Sequence, residues 1–409
     1  MTNFRMLKAS DKFLWIASAI LVTLGLMFIF SCTFAVEAAA GRDAFFYVKR
    51  QFGAMIFGLF CMAFAMYFDV HHLKKIAPIL YVIMIVLLLA ADFLGTSSQG
   101  AQRWLSFGPI TFQPSEFAKL ITIISLATYF DFGKERSPIL PGLLIVLIPF
   151  ALVFKQPDLG TALVILAICL GMIIWSRITP SLLFMILTPF LSLIFCQTLW
   201  LWVVYLFVLW GVLYFSRFPL IDILLIMGIN IGVGIVFPIF WGMLKEYQKL
   251  RLVAFLNPGL DPFGAGYHTL QSKIAIGAGG LFGAGFMHGT QTQLQFIPVQ
   301  HSDFIFSAIG EEFGLIGTVM VLSLLVLIVF KAIRIADATD DYFAGILALG
   351  IAMMLGFHTF VNIGMTLGLL PVVGIPLPFI SYGGTALIVS LTCIGLLQNI
   401  AMRNHKILF

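Results

Sequence analysis

Charged residues are scarce in this sequence of 409 residues. Only 10% of them are Asp, Glu, Lys or Arg, 61% are hydrophobic, and the mean hydropathy is +1.07. An ordinary soluble domain is excluded, because about a quarter of the residues of such a domain are charged. The net charge of +5 is explained by basic loops between apolar segments, so it does not indicate a nucleic-acid partner.

Cysteine is also scarce. The five cysteines all fall in or beside apolar segments. Their spacing fits neither a metal site nor a disulfide framework, so we interpret them as small packing residues.

Apolar runs long enough to cross a bilayer, about 20 residues each, recur along the chain. About twelve lie near residues 13–35, 51–69, 76–94, 115–131, 137–154, 158–175, 181–197, 198–216, 219–243, 304–332, 343–369 and 381–401. The sequence therefore predicts an all-α, polytopic transmembrane helical bundle of about 10–12 spans, forming one membrane domain over residues 1–409. The run pair at 181–216 is either an extra transmembrane hairpin or one broken, tilted element.

Every second loop between these runs is basic, which predicts that both termini are cytoplasmic. The loops at 95–114, 155–158, 244–303 and 369–380 then face outward. The largest, 244–303, is rich in glycine and polar residues, and we expect it to contain short helices and re-entrant segments. It carries Asp261, which is therefore an outward-facing carboxylate.

Polar residues precede and enter the fourth apolar run. Arg103 lies in the loop, while Ser115 and Glu116 suit the first turn of a helix, so a purely structural capping role is an alternative for these two. Lys119 follows three residues after Glu116, inside an apolar helix where the two can pair. Such a pair indicates a functional site.

Asp158 opens the sixth run. As a helix N-cap it would need no further function. As an outward carboxylate beside Lys155, it would contribute to a polar cavity.

His301 and Asp303 open the tenth run, and Glu311 and Glu312 follow about two turns later. With Asp303 beside it and the glutamates below, we expect His301 to line a polar cavity. These residues and Asp261 together offer ligands for a divalent cation, although no spacing demands a metal.

Ser381 and Tyr382 follow two prolines at 376–378. The segment is either a re-entrant loop packed against protein or a place where these hydroxyls bind a lipid headgroup.

Taken together, these stretches resemble the SEDS proteins, the RodA/FtsW/SpoVE group of peptidoglycan polymerases. The matching residues are Arg103-Trp104, Gln113-Pro114-Ser115-Glu116 with Lys119, Gln156 to Thr161, Asn257-Pro258 with Asp261, Gly264 to Gly277, Gly289-Thr290-Gln291, His301 to Phe306, Glu311 to Gly314, Asn362 to Met365 and Pro376 to Gly384. The stretches GAGYHTLQSKIAIG and VNIGM resemble the RodA branch, which acts in cell elongation.

The resemblance implies an enzyme that joins lipid II units into glycan strands on the outer face of the cytoplasmic membrane. The family's catalytic aspartate falls on Asp261, which would act as general base and invert the anomeric centre. The leaving diphosphate needs positive charge, from Arg103, Lys119, Lys273 or a bound divalent cation. The family's usual partner is a class B penicillin-binding protein, with spans 304–332 and 343–369 as the expected docking face.

Three departures from the family pattern stand out. Ala284 lies where members commonly have lysine, Val299 where they commonly have glutamate, and ten spans are usual rather than twelve. Two other functions stay open at this point. A lipid II flippase would use Glu116, Lys119 and Asp158 as a headgroup pathway, and a scaffold would mainly hold the penicillin-binding protein.

Overall fold

The computed structural model describes residues 10–98, 101–107, 110–133, 139–176, 180–243, 249–250, 255, 265–294, 296–297 and 300–403. The chain forms two compact units, one of residues 1–169 and 251–409 and one of residues 170–250.

The helices are α1 (Lys12–Ala39), α2 (Phe46–Tyr67), α3 (Val70–Leu94), α4 (Pro114–Gly133), α5 (Ile139–Lys155), α6 (Leu159–Ser176), α7 (Pro180–Phe195), α8 (Leu199–Phe215), α9 (Leu220–Met243), α10 (Ala265–Ala278), α11 (Thr290–Gln293), α12 (Ile305–Ala338), α13 (Tyr342–Thr366) and α14 (Gly384–Arg403). The strands are β1 (Thr96–Ser98), β2 (Ala101–Phe107) and β3 (Ile110–Phe112).

Each of the twelve predicted apolar runs coincides with a helix, which confirms the helical membrane fold. Eight helices among the described residues are long and apolar enough to span a membrane: α1, α2, α3, α6, α9, α12, α13 and α14. Helices α5, α7 and α8 contain shorter apolar stretches. Helix α4 has the length of a span but carries three charged residues, Glu116, Lys119 and Asp131.

A small antiparallel sheet, with strand order β1-β2-β3, occupies the loop between α3 and α4. Leu105 of β2 lies opposite Phe112 of β3. These strands were not predicted from the sequence. They are short and rich in Thr, Trp, Ile and Phe, residues suited to a pleated surface, and the Gly108-Pro109 dipeptide between β2 and β3 is a turn signal.

Asp11, Asp69 and Asp341 cap the first turns of α1, α3 and α13. Asp11 accepts from Phe13 N at 2.9 Å, Asp69 from His71 N at 3.1 Å, and Asp341 from Phe343 N at 3.1 Å. These carboxylates satisfy backbone N–H groups that a helix start leaves without an intrahelical partner.

The core of the larger unit lies around α13 and α14, most of whose residues are buried. Helices α2 and α14 approach closely at glycines: a Cβ on Gly58 would lie 2.7 Å from Leu391 Cδ1 and 3.3 Å from Ile388 Cα. Small residues at such contacts allow the backbones of membrane helices to pack by van der Waals attraction.

Helix α12 is broken at Gly314, whose backbone has φ +64° and ψ −159°. The glycine-rich segment 279–285, which follows α10, is inserted at this break. The hydrogen bonds that join them are Ala284 N to Glu311 O (2.9 Å), Gly285 N to Glu312 O (3.0 Å), Leu315 N to Gly280 O (2.9 Å) and Ile316 N to Leu281 O (3.2 Å). The segment thus satisfies backbone groups that the break removes from the helical pattern.

In the smaller unit, α7 and α8 are separate helices that pack against each other and against α9. The predicted hairpin 181–216 lies here. Asn230 of α9 is fully buried and donates to Thr188 Oγ1 at 2.8 Å, while its Oδ1 accepts from Tyr205 OH at 2.9 Å. The three helices are therefore joined by a hydrogen-bonded cluster within apolar surroundings.

Candidate active site

A cavity of about 890 Å³ lies in the larger unit, between α2, the strands, α4, α6 and the segments before α12 and α14. Six of the ten predicted site residues line it: Arg103, Glu116, Asp158, His301, Asp303 and Tyr382. Residues far apart in the sequence thus share one cavity.

The cavity has a polar end and an apolar wall. Lys49 and Arg50, at the start of α2, line it together with Phe57, which lies about two turns further along the same helix. Ile388 of α14 also belongs to the wall. Because α2 is long and apolar enough to span a membrane, the cavity can accommodate a molecule with a charged head and a lipid tail.

Asp158 caps α6 and accepts several hydrogen bonds on the cavity wall. Its Oδ1 accepts from Thr161 N at 3.3 Å, and its Oδ2 accepts from Thr161 Oγ1 at 3.0 Å, Gln113 Nε2 at 3.3 Å and Ser115 Oγ at 3.4 Å. Arg103 Nη1 lies 3.8 Å from Asp158 Oδ1. The sequence left a helix-capping role and a cavity-lining role as alternatives for Asp158, and in the structure Asp158 has both.

Arg103 is fixed by carbonyl groups of the turn before α6. Its Nε donates to Gln156 O at 3.1 Å, and its Nη2 donates to Pro157 O. Lys155, which stands beside Asp158 in the sequence, is the last residue of α5 and pairs with Asp92 of α3 at 2.7 Å.

Glu116 and Lys119 form the pair that their spacing predicts, with Lys119 Nζ 2.8 Å from Glu116 Oε1. Glu116 lines the cavity, but Lys119 does not and is only 1% exposed. Lys119 Nζ also lies 2.9 Å from His358 Nε2 of α13. His358 was not among the residues predicted for the site.

His301, on the cavity wall, packs against two tyrosines that also contact each other. Its ring centroid is 4.7 Å from that of Tyr47 and 5.3 Å from that of Tyr382. Burial lowers the pKa of His301 to about 4, and the charge of Glu37 offsets this in part. Burial raises the pKa of the Tyr382 phenol. At neutral pH the wall therefore presents an uncharged imidazole and a protonated phenol.

Gln51 fixes the loop that precedes α14. Its Nε2 donates to Ser381 O at 3.2 Å, and its Oε1 accepts from Gly383 N at 3.1 Å. Ser381 Oγ donates to Ser302 O at 2.6 Å and accepts from Leu377 N at 2.8 Å. Ser381 therefore joins two wall segments rather than facing the cavity, as in the packed-loop alternative.

The other residues named from the sequence fall into two groups. Asp261 and Val299 lie outside the described residues. Lys273, on α10, is exposed, does not line the cavity, and lies against Gly368. Ala284 belongs to the segment inserted into α12.

Glu311 and Glu312 do not line the cavity. Glu311 accepts from Gln291 N at 2.7 Å and Thr292 N at 2.9 Å, and Glu312 accepts from Ser31 Oγ. Both carboxylates are buried by contacts with α11 or α1.

Lys49, Arg50 and Gln51 were not among the predicted site residues. A signal was present, because Lys49 and Arg50 come between the first two apolar runs, in a stretch that the charge alternation assigns to the outer side, where basic residues are not expected. Within the described part of the chain, no three His, Cys, Asp or Glu side chains come together as metal ligands would.

Comparison with known proteins identifies the class. The chain matches the family of FtsW, RodA and SpoVE, described as cell cycle proteins, over residues 11–202 and 176–406. It is 36% identical to the peptidoglycan glycosyltransferase MrdB of Escherichia coli over 89% of this chain and 88% of that protein. It is 34% identical to the peptidoglycan glycosyltransferase RodA of Treponema pallidum, over 96% and 98% of the two chains.

Solved structures agree. A chain from a peptidoglycan synthase complex that coordinates polymerization and crosslinking is similar with a TM-score of 0.69 and 28% identity, covering 97% of this chain and 99% of that one. A mutant of the rod shape determining protein RodA of Thermus thermophilus is similar with a TM-score of 0.63 and 25% identity, covering 97% and 99%. This protein belongs to the FtsW/RodA/SpoVE family.

Proposed function

We propose that this multi-pass membrane enzyme, a peptidoglycan glycosyltransferase, polymerises lipid II into glycan strands on the outer face of the bacterial cytoplasmic membrane. The amphiphilic cavity is the observation that carries the substrate assignment. Lipid II joins a diphosphate and sugars to a long lipid tail, and the cavity combines a charged polar end, which includes Lys49 and Arg50, with an apolar wall along α2 and α14.

The positive charge for the diphosphate comes from Lys49, Arg50 and Arg103, which all line the cavity. This revises the sequence-based assignment. Lys119 is buried away from the cavity beside Glu116, and Lys273 lies on α10 outside the lining. Cationic groups aimed at the departing phosphate oxygens stabilise the charge that develops there.

Asp261 is the proposed general base. Its carboxylate takes the proton from the acceptor sugar hydroxyl as the hydroxyl oxygen bonds to the anomeric carbon of the donor. The bond from that carbon to the diphosphate oxygen breaks, and the lipid diphosphate leaves with the electron pair. A direct displacement of this kind inverts the anomeric centre.

The proposed orientation places both termini in the cytoplasm and the cavity toward the outside, as the charge alternation predicts. A class B penicillin-binding protein is the proposed partner. Of the two spans expected at its docking face, α13 is largely buried within this chain, whereas α12 exposes Leu315, Val319 and Val326. The proposal therefore assigns the contact to α12.

Polymerisation of labelled lipid II tests the mechanism. Wild type and Asp261→Asn are each purified with the penicillin-binding partner, together with Asp337→Asn as a matched control. Asp337 is exposed and does not line the cavity. We expect Asp261→Asn to lose at least about a hundredfold in rate, the usual contribution of a general base, while Asp337→Asn keeps the wild-type rate.

Strand formation by Asp261→Asn at the wild-type rate would disprove its role as base. The diphosphate assignment has its own variants, Arg103→Gln and the exposed Arg42→Gln. We expect Arg103→Gln to weaken polymerisation and Arg42→Gln to leave its rate unchanged. If every folded complex, wild type included, makes no strands but moves lipid II across vesicle membranes, the flippase alternative replaces the polymerase.

A further inference from the structure

Lys119 has a second partner besides Glu116. Its ammonium group lies 2.8 Å from Glu116 Oε1 and 2.9 Å from His358 Nε2, and the lysine side chain is only 1% exposed. A buried ammonium group costs free energy unless its charge is paired and its N–H groups find acceptors. The imidazole therefore supplies a second hydrogen-bond acceptor for the ammonium group, in addition to the Glu116 carboxylate.

The hydrogen-bonding role of His358 follows from its other nitrogen. His358 Nδ1 lies 3.2 Å from Pro376 O, a carbonyl oxygen that can only accept. Nδ1 therefore carries the proton, and in a neutral imidazole Nε2 is then an acceptor. Lys119 donates to Nε2, so the chain of contacts runs from Pro376 through His358 and Lys119 to Glu116.

One face of α13 holds the cavity wall through side chains four residues apart. Asn362 follows His358 by four residues, so the two share a helix face, and its Nδ2 donates to Ile375 O at 2.7 Å and Asp303 O at 2.9 Å. Pro376 and Asp303 both line the cavity. This face of α13 thus fixes backbone on one side and, through Lys119, the Glu116 carboxylate on the other.

His358 lies behind the cavity rather than in it. It borders a separate void of about 10 Å³, together with Glu116, Lys119, Ser381 and Ser390. That volume suits about one water molecule and excludes a substrate. His358 therefore acts through Lys119, without touching the reacting groups.

We propose that His358 is a positioning residue for the transfer reaction. By accepting a hydrogen bond from Lys119 it fixes the Lys119–Glu116 pair, and so holds the Glu116 carboxylate in place on the cavity wall. The inference rests on the proposed function of this cavity as the substrate site.

Three substitutions test this role. His358→Gln keeps an acceptor that reaches Lys119, His358→Asn is the matched amide that is one methylene shorter, and His358→Leu has no acceptor. Each is purified with the penicillin-binding partner, and kcat and KM for lipid II polymerisation are measured beside Lys119→Gln and Glu116→Gln. Thermal unfolding and partner binding identify folded complexes.

We expect His358→Gln to keep activity within about threefold, because its acceptor can still bond Lys119. His358→Leu and His358→Asn should each lose about tenfold or more, since a buried charged donor is left unsatisfied. The loss should fall on the same parameter, kcat or KM, that Lys119→Gln alters. If His358→Leu does not fold, the comparison of His358→Gln with His358→Asn decides.

Equal activity of the Gln, Asn and Leu variants would overturn the inference, since packing alone would then explain His358. If these variants match wild type while Glu116→Gln is inactive, the positioning role fails and the cavity assignment stands. If Glu116→Gln and Lys119→Gln are also fully active, the cavity assignment fails, and the inference fails with it.

Discussion

Replacing Gly283 by alanine should destabilise the protein strongly. Gly283 has φ +83°, and a Cβ there would overlap the backbone carbonyl of Glu312 at the break in α12. The left-handed backbone costs alanine about 1–2 kcal/mol. Displacing packed backbone costs about 1–3 kcal/mol more, and the reduced freedom of the unfolded chain returns about 0.4–1 kcal/mol. The expected net loss is about 2–4 kcal/mol.

Two neighbouring glycines are matched controls. Gly280 also has a positive φ, +55°, but no heavy atom lies within 4 Å of its Cβ position. Gly280→Ala should therefore cost only about 1 kcal/mol. Gly277 has no positive φ and no neighbour within 4 Å, so Gly277→Ala should be neutral or stabilise by up to about 1 kcal/mol.

The assay is thermal unfolding of the purified, partner-bound enzyme in detergent, followed by intrinsic fluorescence. The three variants should rank with Gly277→Ala the most stable and Gly283→Ala the least. If Gly283→Ala unfolds at the temperature of Gly280→Ala, segment 279–285 is not inserted at the break of α12, and the contacts described there are wrong.

The other predictions concern the cavity wall and the smaller unit. The pKa of His301 is about 4 in the folded state, below the unfolded value of about 6.5. The contribution of the neutral imidazole to folding stability is therefore present above pH 6.5 and is lost as pH falls toward 4. Across that pH window the free energy of unfolding of wild type should fall by about 2–3 kcal/mol more than that of His301→Gln. Unfolding measured at stepped pH tests this, and the same pH dependence of stability in both proteins would contradict it. Asn230→Ala should lower unfolding stability by about 1 kcal/mol through its lost hydrogen bonds, unlike Ile229→Ala on an exposed position, and equal losses would refute the role of the cluster.

The sequence predicted the helices well because a membrane span needs a long apolar run, and that requirement is visible without tertiary information. It also predicted local contacts. The Glu116–Lys119 pair and the capping role of Asp158 depend on spacings of three residues, which a helix fixes geometrically.

The contacts that hold the wall could not be predicted in this way. Gln51 bonds the backbone near Ser381 across 330 residues, and His358 meets Lys119 across 239. Neither spacing has a periodic signature, so only the packing of α2 on α14 and of α4 on α13 brings these groups together. The Lys155–Asp92 pair, across 63 residues, has no periodic signature either.

The hydrogen bonds and ion pairs of the cavity carboxylates indicate which of them can act as the general base. Asp158 Oδ2 accepts from Gln113, Ser115 and Thr161, and its Oδ1 accepts from Thr161 N beside Arg103. A base needs a lone pair directed at the substrate hydroxyl within hydrogen-bond reach, and these lone pairs already face protein donors.

Glu116 is engaged in a different way. Taking up a proton there would remove the counter-charge of the buried Lys119, which is costly in apolar surroundings. Both carboxylates are thus better suited to shaping the cavity than to exchanging protons.

If Asp261→Asn retained activity, Asp303 would be the next candidate for the general base. Its Oδ1 accepts from Ser302 Oγ at 3.0 Å, and Oδ2 is the atom that a Cβ on Gly374 would meet at 3.2 Å. Asp303→Asn should then abolish strand formation, and its activity would leave no described carboxylate of the cavity as the base.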